Sequence, residues 1–211
     1  APTGSLPPGA DADQVRPLER KLSRDHEAIW VDSKVVEVAE TGKQHLLDTI
    51  AAMVSGSRLH PGEMTLRYAA TLGGTEEAVV VGSRIMTTAV TAALANGMLS
   101  HADETDDSHK ASRSHLGCGV VPAALAMAER EQASGEALLR SVILGYDIGA
   151  RISFSLDTHR FYDAGHSTHT FAPLFGAAAS AAALARLNTD QMRWMLSYTA
   201  QQASGVNCWQ R

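Results

Sequence analysis

FAPLFGAAASAAALARL, residues 171–187, carries the strongest secondary-structure signal in the chain. Alanine is the best helix former, and its small side chain allows two helices to approach closely. The segment therefore predicts a helix that packs tightly against a neighbour through Ala177, Ala178, Ala181 and Ala182. Ser180 and Arg186 interrupt the apolar run, so it is too short and too polar to cross a membrane.

The composition extends this helical signal to the whole chain. Of its 211 residues, 34 are alanine and 11 are aromatic. Helical spacing of apolar residues, together with Pro, Gly and Ser at the boundaries, predicts seven helices. They cover about 33–54, 61–72, 87–99, 119–132, 134–153, 171–187 and 190–203, and Pro122 falls in the first turn of the fourth. Ala78–Val81 is β-branched and predicts one isolated strand. The predicted fold class is all-α, an Ala-rich multi-helix bundle.

Charge and cysteine content exclude several classes of protein. The net charge is −5 and the isoelectric point is about 6.0, and no Lys/Arg cluster is present, so we expect no nucleic-acid partner. No run of apolar residues suits a transmembrane helix, so we expect no membrane partner. Two cysteines, Cys118 and Cys208, cannot build a disulfide framework. The expected location is the cytoplasm.

Six of the nine histidines lie in two polar loops. The first loop, 100–117, contains His101, His109 and His115 with four acidic residues; the second, 157–170, contains His159, His166 and His169. Histidine titrates near neutral pH and therefore serves readily as an acid or a base. The residues alone leave four interpretations open: solvated polar loops, a metal site, metal-free acid/base catalysis, or a Cys118 nucleophile next to a histidine.

Six blocks in one order resemble the MmgE/PrpD family: LLDTIAAMVSGS (46–57), EEAVVVGS (76–83), AALANGMLSHADETDDSH (92–109), VVPAALAMAER (120–130), ASGEALLRSVILGYDIGAR (133–151) and GHSTHTFAPLFGAAASAAALARL (165–187). The family includes 2-methylcitrate dehydratase, cis-aconitate decarboxylase and iminodisuccinate epimerase. The resemblance implies an N-terminal all-helical domain whose companion α/β domain is not in this chain. It implies a lyase or isomerase that acts on a small polycarboxylate without metal or other cofactor.

The resemblance also assigns site residues. The family's HALDFDDT segment matches His101 to Ser108, which places its catalytic carboxylate on Glu104 and its threonine hydroxyl on Ser108. The family's two histidines fall on His115 and, with one gap, on His166. Glutamate, threonine and serine replace the family's aspartate, phenylalanine and threonine at 104, 105 and 108, so the substrate need not be methylcitrate.

Three neighbouring residues complete the set of candidates. Asp107, Arg113 and His169 are predicted to bind substrate, and Arg113 suits a carboxylate because its guanidinium can bind both oxygens; it could equally be a solvated loop charge. His115 and His166 both precede a predicted helix N-terminus, where backbone N–H groups favour an anion. We therefore predict that both histidines line one cavity, with Glu104 and Ser108 on its wall.

The domain organisation follows from the same resemblance. We predict a mobile tail and arm over 1–32, a helical domain over 33–205, and a connection to a missing second domain over 206–211. The family's lysines and tyrosine would lie beyond Arg211, so we expect a second chain or fragment to supply them, within a dimer or higher oligomer. The alternative is a noncatalytic or regulatory helical protein that kept the scaffold and lost the chemistry.

Overall fold

A computed structural model describes residues 33–207 of the chain. These residues form eight helices and one small antiparallel sheet, which confirms the predicted all-α class. In chain order the elements are α1 (Ser33–Gly56), α2 (His60–Leu72), β1 (Ala78–Val79), β2 (Met86–Thr87), α3 (Ala89–Ser100), α4 (Gly117–Arg130), α5 (Gly135–Ser155), α6 (Thr158–Asp163), α7 (Thr168–Leu184) and α8 (Thr189–Gln202).

The chain divides into two compact units, residues 1–40 and residues 41–211. Of the first unit only the beginning of α1 is described, so the predicted N-terminal arm lies outside the described residues. The second unit holds the helices and loops discussed below. Residues 208–211 are likewise outside the described part.

Capping residues set several of the helix boundaries. Ser134 accepts a hydrogen bond from Ala137 N at 3.2 Å and begins α5. Asn188 begins α8 with a capping box, in which its side chain and that of Gln191 each bond the other residue's backbone N–H. Each such cap satisfies N–H groups that a helix leaves without intrahelical partners. The sequence therefore predicts these two boundaries well.

Three predictions about secondary structure are wrong in detail. The expected isolated strand pairs with a second one, Ala78 opposite Thr87 and Val79 opposite Met86, in a hairpin whose turn uses Gly82 at φ +73°. Helix α4 begins at Gly117, so Pro122 lies inside the helix and beyond its first turn. The second loop contains a short helix, α6, which was not predicted.

Helices α5 and α7 pack through a line of small residues. A Cβ on Gly145 would lie 2.2 Å from Ser180 Oγ and 2.9 Å from Gly176 O, and a Cβ on Gly149 would lie 2.5 Å from Ala172 O. Ser180 Oγ also donates to Ser141 O at 2.7 Å. The predicted tight packing of the Ala-rich helix is present, but through a different face: Ala182 is buried, whereas Ala177, Ala178 and Ala181 are only half-buried.

The hairpin is fastened to the bundle by a buried asparagine. Asn96 of α3 is 1% exposed, accepts from Val81 N at 2.9 Å and donates to Val79 O at 3.0 Å.

An apolar groove of about 530 Å³ between α2 and α3 is open to solvent. None of the helices in the described part of the chain is long and apolar enough to span a bilayer.

Candidate active site

The first histidine loop, between α3 and α4, is closed by its own hydrogen bonds. His109 N donates to Ser114 O at 2.9 Å, and His109 Nδ1 lies 2.8 Å from the hydroxyl of the buried Ser112. Arg113, at the turn, has φ +48°, a left-handed conformation that costs free energy for a side chain with a Cβ. Thr168 Oγ1, at the start of α7, donates to Arg113 O and ties the two loops together. The hydrogen bonds of His109 thus stabilise the first loop, and the bond from Thr168 holds the strained turn at Arg113 next to the second loop.

Asp106 is the centre of a histidine cluster. Its side chain is 0% exposed, and its two oxygens lie 2.9 and 3.1 Å from His101 Nδ1. His115 Nδ1 lies 3.5 Å from Asp106 Oδ2, an ion-pair distance but too long for a good hydrogen bond, and this buried nitrogen has no hydrogen-bond partner. The bond to Asp106 raises the pKa of the His101 imidazole, although burial partly opposes the rise.

The same three residues offer one metal-ligand atom each within 4.8 Å of one another. However, His101 Nδ1 lies 2.9 and 3.1 Å from the two Asp106 oxygens, which is the distance of a hydrogen bond. Two ligands of a tetrahedral zinc ion, each about 2.0–2.2 Å from the metal, would have to lie farther apart. The arrangement is therefore that of a hydrogen-bonded histidine–carboxylate pair.

His169 extends this cluster into a cleft. It lies in the first turn of α7, and its ring stacks on that of His115 with centroids 5.1 Å apart, while His101 lies 5.3 Å from His115 on another side. Burial, and then the charges on His115 and His101, lower the pKa of His169. His169 lines a cleft of about 570 Å³ together with Ser108, Lys110, Arg113 and Tyr162.

The profile of the MmgE/PrpD N-terminal domain matches residues 25–211. The chain belongs to the MmgE/PrpD family. The family includes dehydratases and related enzymes, and the matched part is its N-terminal helical domain. No curated protein matches the chain.

Asp107, next to the centre of the cluster, has a separate set of partners. Its side chain is 10% exposed; it accepts from Gly117 N at 2.9 Å and from the Tyr146 hydroxyl at 2.7 Å, and His45 Nδ1 lies 3.1 Å away. Burial and the adjacent carboxylate raise the pKa of Tyr146 well above its usual range. The Asp107 carboxylate therefore lies at the N-terminus of α4, where the sequence predicts a bound anion. Its predicted contact with substrate stays a prediction.

The structure pairs His115 with His169 and not with His166. His166 is exposed, stacks on Phe161 at 4.8 Å and pairs with Val206 in an antiparallel bridge. The reason is local: α7 begins at Thr168, three residues earlier than predicted, so His169 enters the helix while α6 holds Phe161 against His166. His169 lines the cleft described above, and neither His115 nor His166 is among its lining residues, so the cavity expected to be shared by His115 and His166 stays a prediction.

Two further candidates lie around the cleft. Ser108 lines the cleft that contains His169. Glu104 is exposed and has φ +53°, and its charge contributes to the raised pKa of His101 without contacting the cleft. The catalytic roles assigned to Glu104, Ser108, His115 and His166 stay predictions.

Cys118 does not have the environment of a nucleophile. Its thiol donates to His115 O at 3.3 Å, and burial followed by the charge of Asp106 raises its pKa far above its usual range. A reactive cysteine needs the opposite shift, because the thiolate is the nucleophile. The thiol-nucleophile interpretation is therefore unfavourable.

Three residues of the site are not predicted from the sequence. Asp106 was only one of four acids in the loop, and nothing in the pattern distinguishes the buried one. His45 and Tyr146 lie on helices far away in sequence, and their ring centroids are 4.8 Å apart. Only the folded chain brings them to Asp107.

Proposed function

We propose that this chain is the helical part of a lyase or isomerase that acts on a small polycarboxylate by acid/base chemistry. The observation that carries the proposal is the cleft in which His169, supported by His115, faces two cationic side chains. Membership of the MmgE/PrpD family agrees with it, because the family includes dehydratases and related enzymes.

The lining of the cleft suits an anionic ligand. It includes Lys110 and Arg113 and no carboxylate, and Ser108 adds a hydroxyl. The Arg113 guanidinium lies 4.8 Å from the Tyr162 ring centroid, which orients its planar donor group. A guanidinium binds both oxygens of a carboxylate, and a volume of about 570 Å³ is of the size that takes a small molecule.

The protonation states in the cluster suit proton abstraction. A lowered pKa keeps His169 neutral at physiological pH, so its imidazole can accept a proton from the carbon next to a substrate carboxylate. Cations on that carboxylate stabilise the negative charge that develops as the proton leaves. Loss of a β-hydroxyl as water would then give dehydration, and return of the proton to the other face would give epimerisation. Decarboxylation would instead start with loss of carbon dioxide, which leaves an electron pair on carbon, and a protonated histidine would deliver a proton there.

Other parts of the proposal concern the whole enzyme. A second chain or fragment would supply the remaining site residues, and the enzyme would act as a dimer or higher oligomer in the cytoplasm. His166 and Glu104 would contribute from the rim of the cleft when that domain is in place.

Hydrogen–deuterium exchange tests the proposal. The chain, alone and with the family's second domain supplied on a separate chain, is incubated in D2O with small di- and tricarboxylates, and loss of the α-proton is followed by NMR. We expect exchange, and we expect Arg113→Ala to reduce kcat/KM about 10- to 100-fold, the value of a charge-assisted hydrogen bond of roughly 1.5–3 kcal/mol. Arg151→Ala is the matched control, because Arg151 is an exposed arginine paired with Asp147 on α5.

Two outcomes would count against this function. Absence of exchange with every polycarboxylate, in both preparations, would favour the noncatalytic alternative. Equal activity in Arg113→Ala and Arg151→Ala would show that the reaction does not use this cleft.

A further inference from the structure

The buried carboxylate of Asp106 needs a neighbouring positive charge to offset the cost of its burial. It is a fully buried carboxylate, and the groups that face it are His101, His115 and the Cys118 thiol, none of which carries a fixed positive charge. Burying an ionised carboxylate without a cation costs several kcal/mol. A proton held by one of the two histidines would offset this cost.

The distances show which histidine does so. His101 Nδ1 bonds both oxygens, at 2.9 and 3.1 Å, whereas His115 Nδ1 is 3.5 Å from the nearer one. His169 is one ring farther out, stacked on the other histidine and away from the carboxylate. The proton is thus held at one end of a row of three imidazoles, and the unprotonated end faces the cleft.

We propose that Asp106 is the positioning residue of this site: it holds His101 as an imidazolium on one side of His115, and so leaves His169, stacked on His115, as the neutral base in the cleft. This inference rests on the proposed function, because it assigns the acid and base members of that chemistry. Such a reaction needs one histidine that holds a proton and one that does not. Different environments can give two histidines different pKa values and so provide both.

The pKa values agree with the geometry. The bond to Asp106 raises the pKa of His101, and Glu104 adds to the rise; burial and the neighbouring histidines lower that of His169. The charged and titratable groups around the cluster include Asp106, Glu104, Cys118 and the three histidines, with Asp107 beyond the thiol and with Lys110 and Arg113 in the cleft beside His169. Removing the charge of Asp106 should therefore reduce the difference between the two ends of the row.

Asp106→Asn is the decisive variant, because it removes the charge and keeps the size of the side chain. Asp103→Asn is the matched control: it removes one charge from the same loop, but Asp103 bonds Ser55 and Thr105 instead of a histidine. Histidine ring signals are followed by NMR as pH is varied, and kcat and KM for α-proton exchange are measured alongside. In Asp106→Asn we expect the pKa of His101 to fall towards that of His169, kcat to drop at least about 10-fold and KM to change little. Asp103→Asn should behave as the wild type.

The proposal is overturned if His101 titrates unchanged in Asp106→Asn, or if both variants have the same effect. Should Asp106→Asn fail to fold by circular dichroism, the wild type still decides: the ¹⁵N spectrum must show His101 protonated at both ring nitrogens at neutral pH, and a neutral His101 refutes the proposal. If no polycarboxylate is turned over, the proposed function fails while the ring titrations still report on Asp106.

Discussion

Asp106 and Asp107 are adjacent in sequence and nearly equally buried, yet they belong to different networks. The first faces two histidines, and the second faces a backbone N–H and a phenol. Consecutive side chains in a loop can point in opposite directions. Asp106 therefore contacts the histidines, whereas Asp107 bonds the start of α4. The phenol bond at 2.7 Å is therefore a structural one, independent of the proposed chemistry.

Removing that phenol tests this division. Tyr146→Phe leaves the buried Asp107 without one of its donors, and we expect a loss of about 1.5–3 kcal/mol in the free energy of unfolding, measured with urea. Tyr198→Phe on α8 is the control, because its side chain is 64% exposed and should change stability by less than about 0.5 kcal/mol. Equal effects of the two substitutions would mean that the Asp107 bond contributes little.

At the residue scale the sequence predicts that the two histidine loops meet better than it predicts which residues meet. The loops do meet, through Thr168 and Arg113 and through the stacked rings of His115 and His169. Which histidine of the second loop lies against His115 depends on where α7 begins, because a start three residues earlier than predicted places His169 in the helix. A boundary of that kind is set by packing of the helix, which the local pattern does not contain.

At the scale of elements, α5 and α7 lie in close contact. Their backbones approach at Gly145 and Gly176, where even one methyl group has no room, and Val120 of α4 fills the space beside them. Because α7 carries His169 in its first turn, this contact also fixes one side of the cleft.

Gly145→Ala tests the importance of that contact. In open space the change would stabilise a helix by roughly 1 kcal/mol, but here the new Cβ would lie 2.2 Å from Ser180 Oγ and 2.5 Å from Val120 Cγ1. We expect a net loss of about 1–3 kcal/mol, seen as a lower midpoint of thermal or urea unfolding. Gly135→Ala, in the first turn of the same helix, has nothing within 4 Å of its Cβ and should be neutral or slightly stabilising. A neutral Gly145→Ala would show that the two helices can move apart.

The elements themselves are mostly predictable, and the exceptions have local causes. Alanine content and capping residues mark the long helices, whereas the six residues of α6 are too few for a periodic pattern to be recognised. The sequence does not show which face of α7 packs tightly, because alanines lie on several sides of this helix. Glycines on both α5 and α7, together with Ser180 of α7, mark the side that is buried.

At the scale of the molecule, the bundle brings two loops from distant parts of the sequence to one cleft. Backbone bonds from Ser167 N to Gly205 O and from Asn207 N to Gly165 O also fasten residues 205–207 beside the second loop. The cleft therefore has two cationic side chains from the first loop and His169 from α7. A small anion that binds there must contact both loops at once.

The most direct test of this account is a titration of the chain, with its histidines ¹⁵N-labelled, by a small tricarboxylate at constant ionic strength and pH. We predict saturable shifts of the His115 and His169 ring signals, with no change at His60, which is exposed at the start of α2. Acetate at the same carboxylate concentration should produce a much weaker effect, because one carboxylate cannot engage both Lys110 and Arg113. If the signals of His115 and His169 do not move, or if His60 moves to the same extent, the cleft is not a polycarboxylate site and the central claim is wrong.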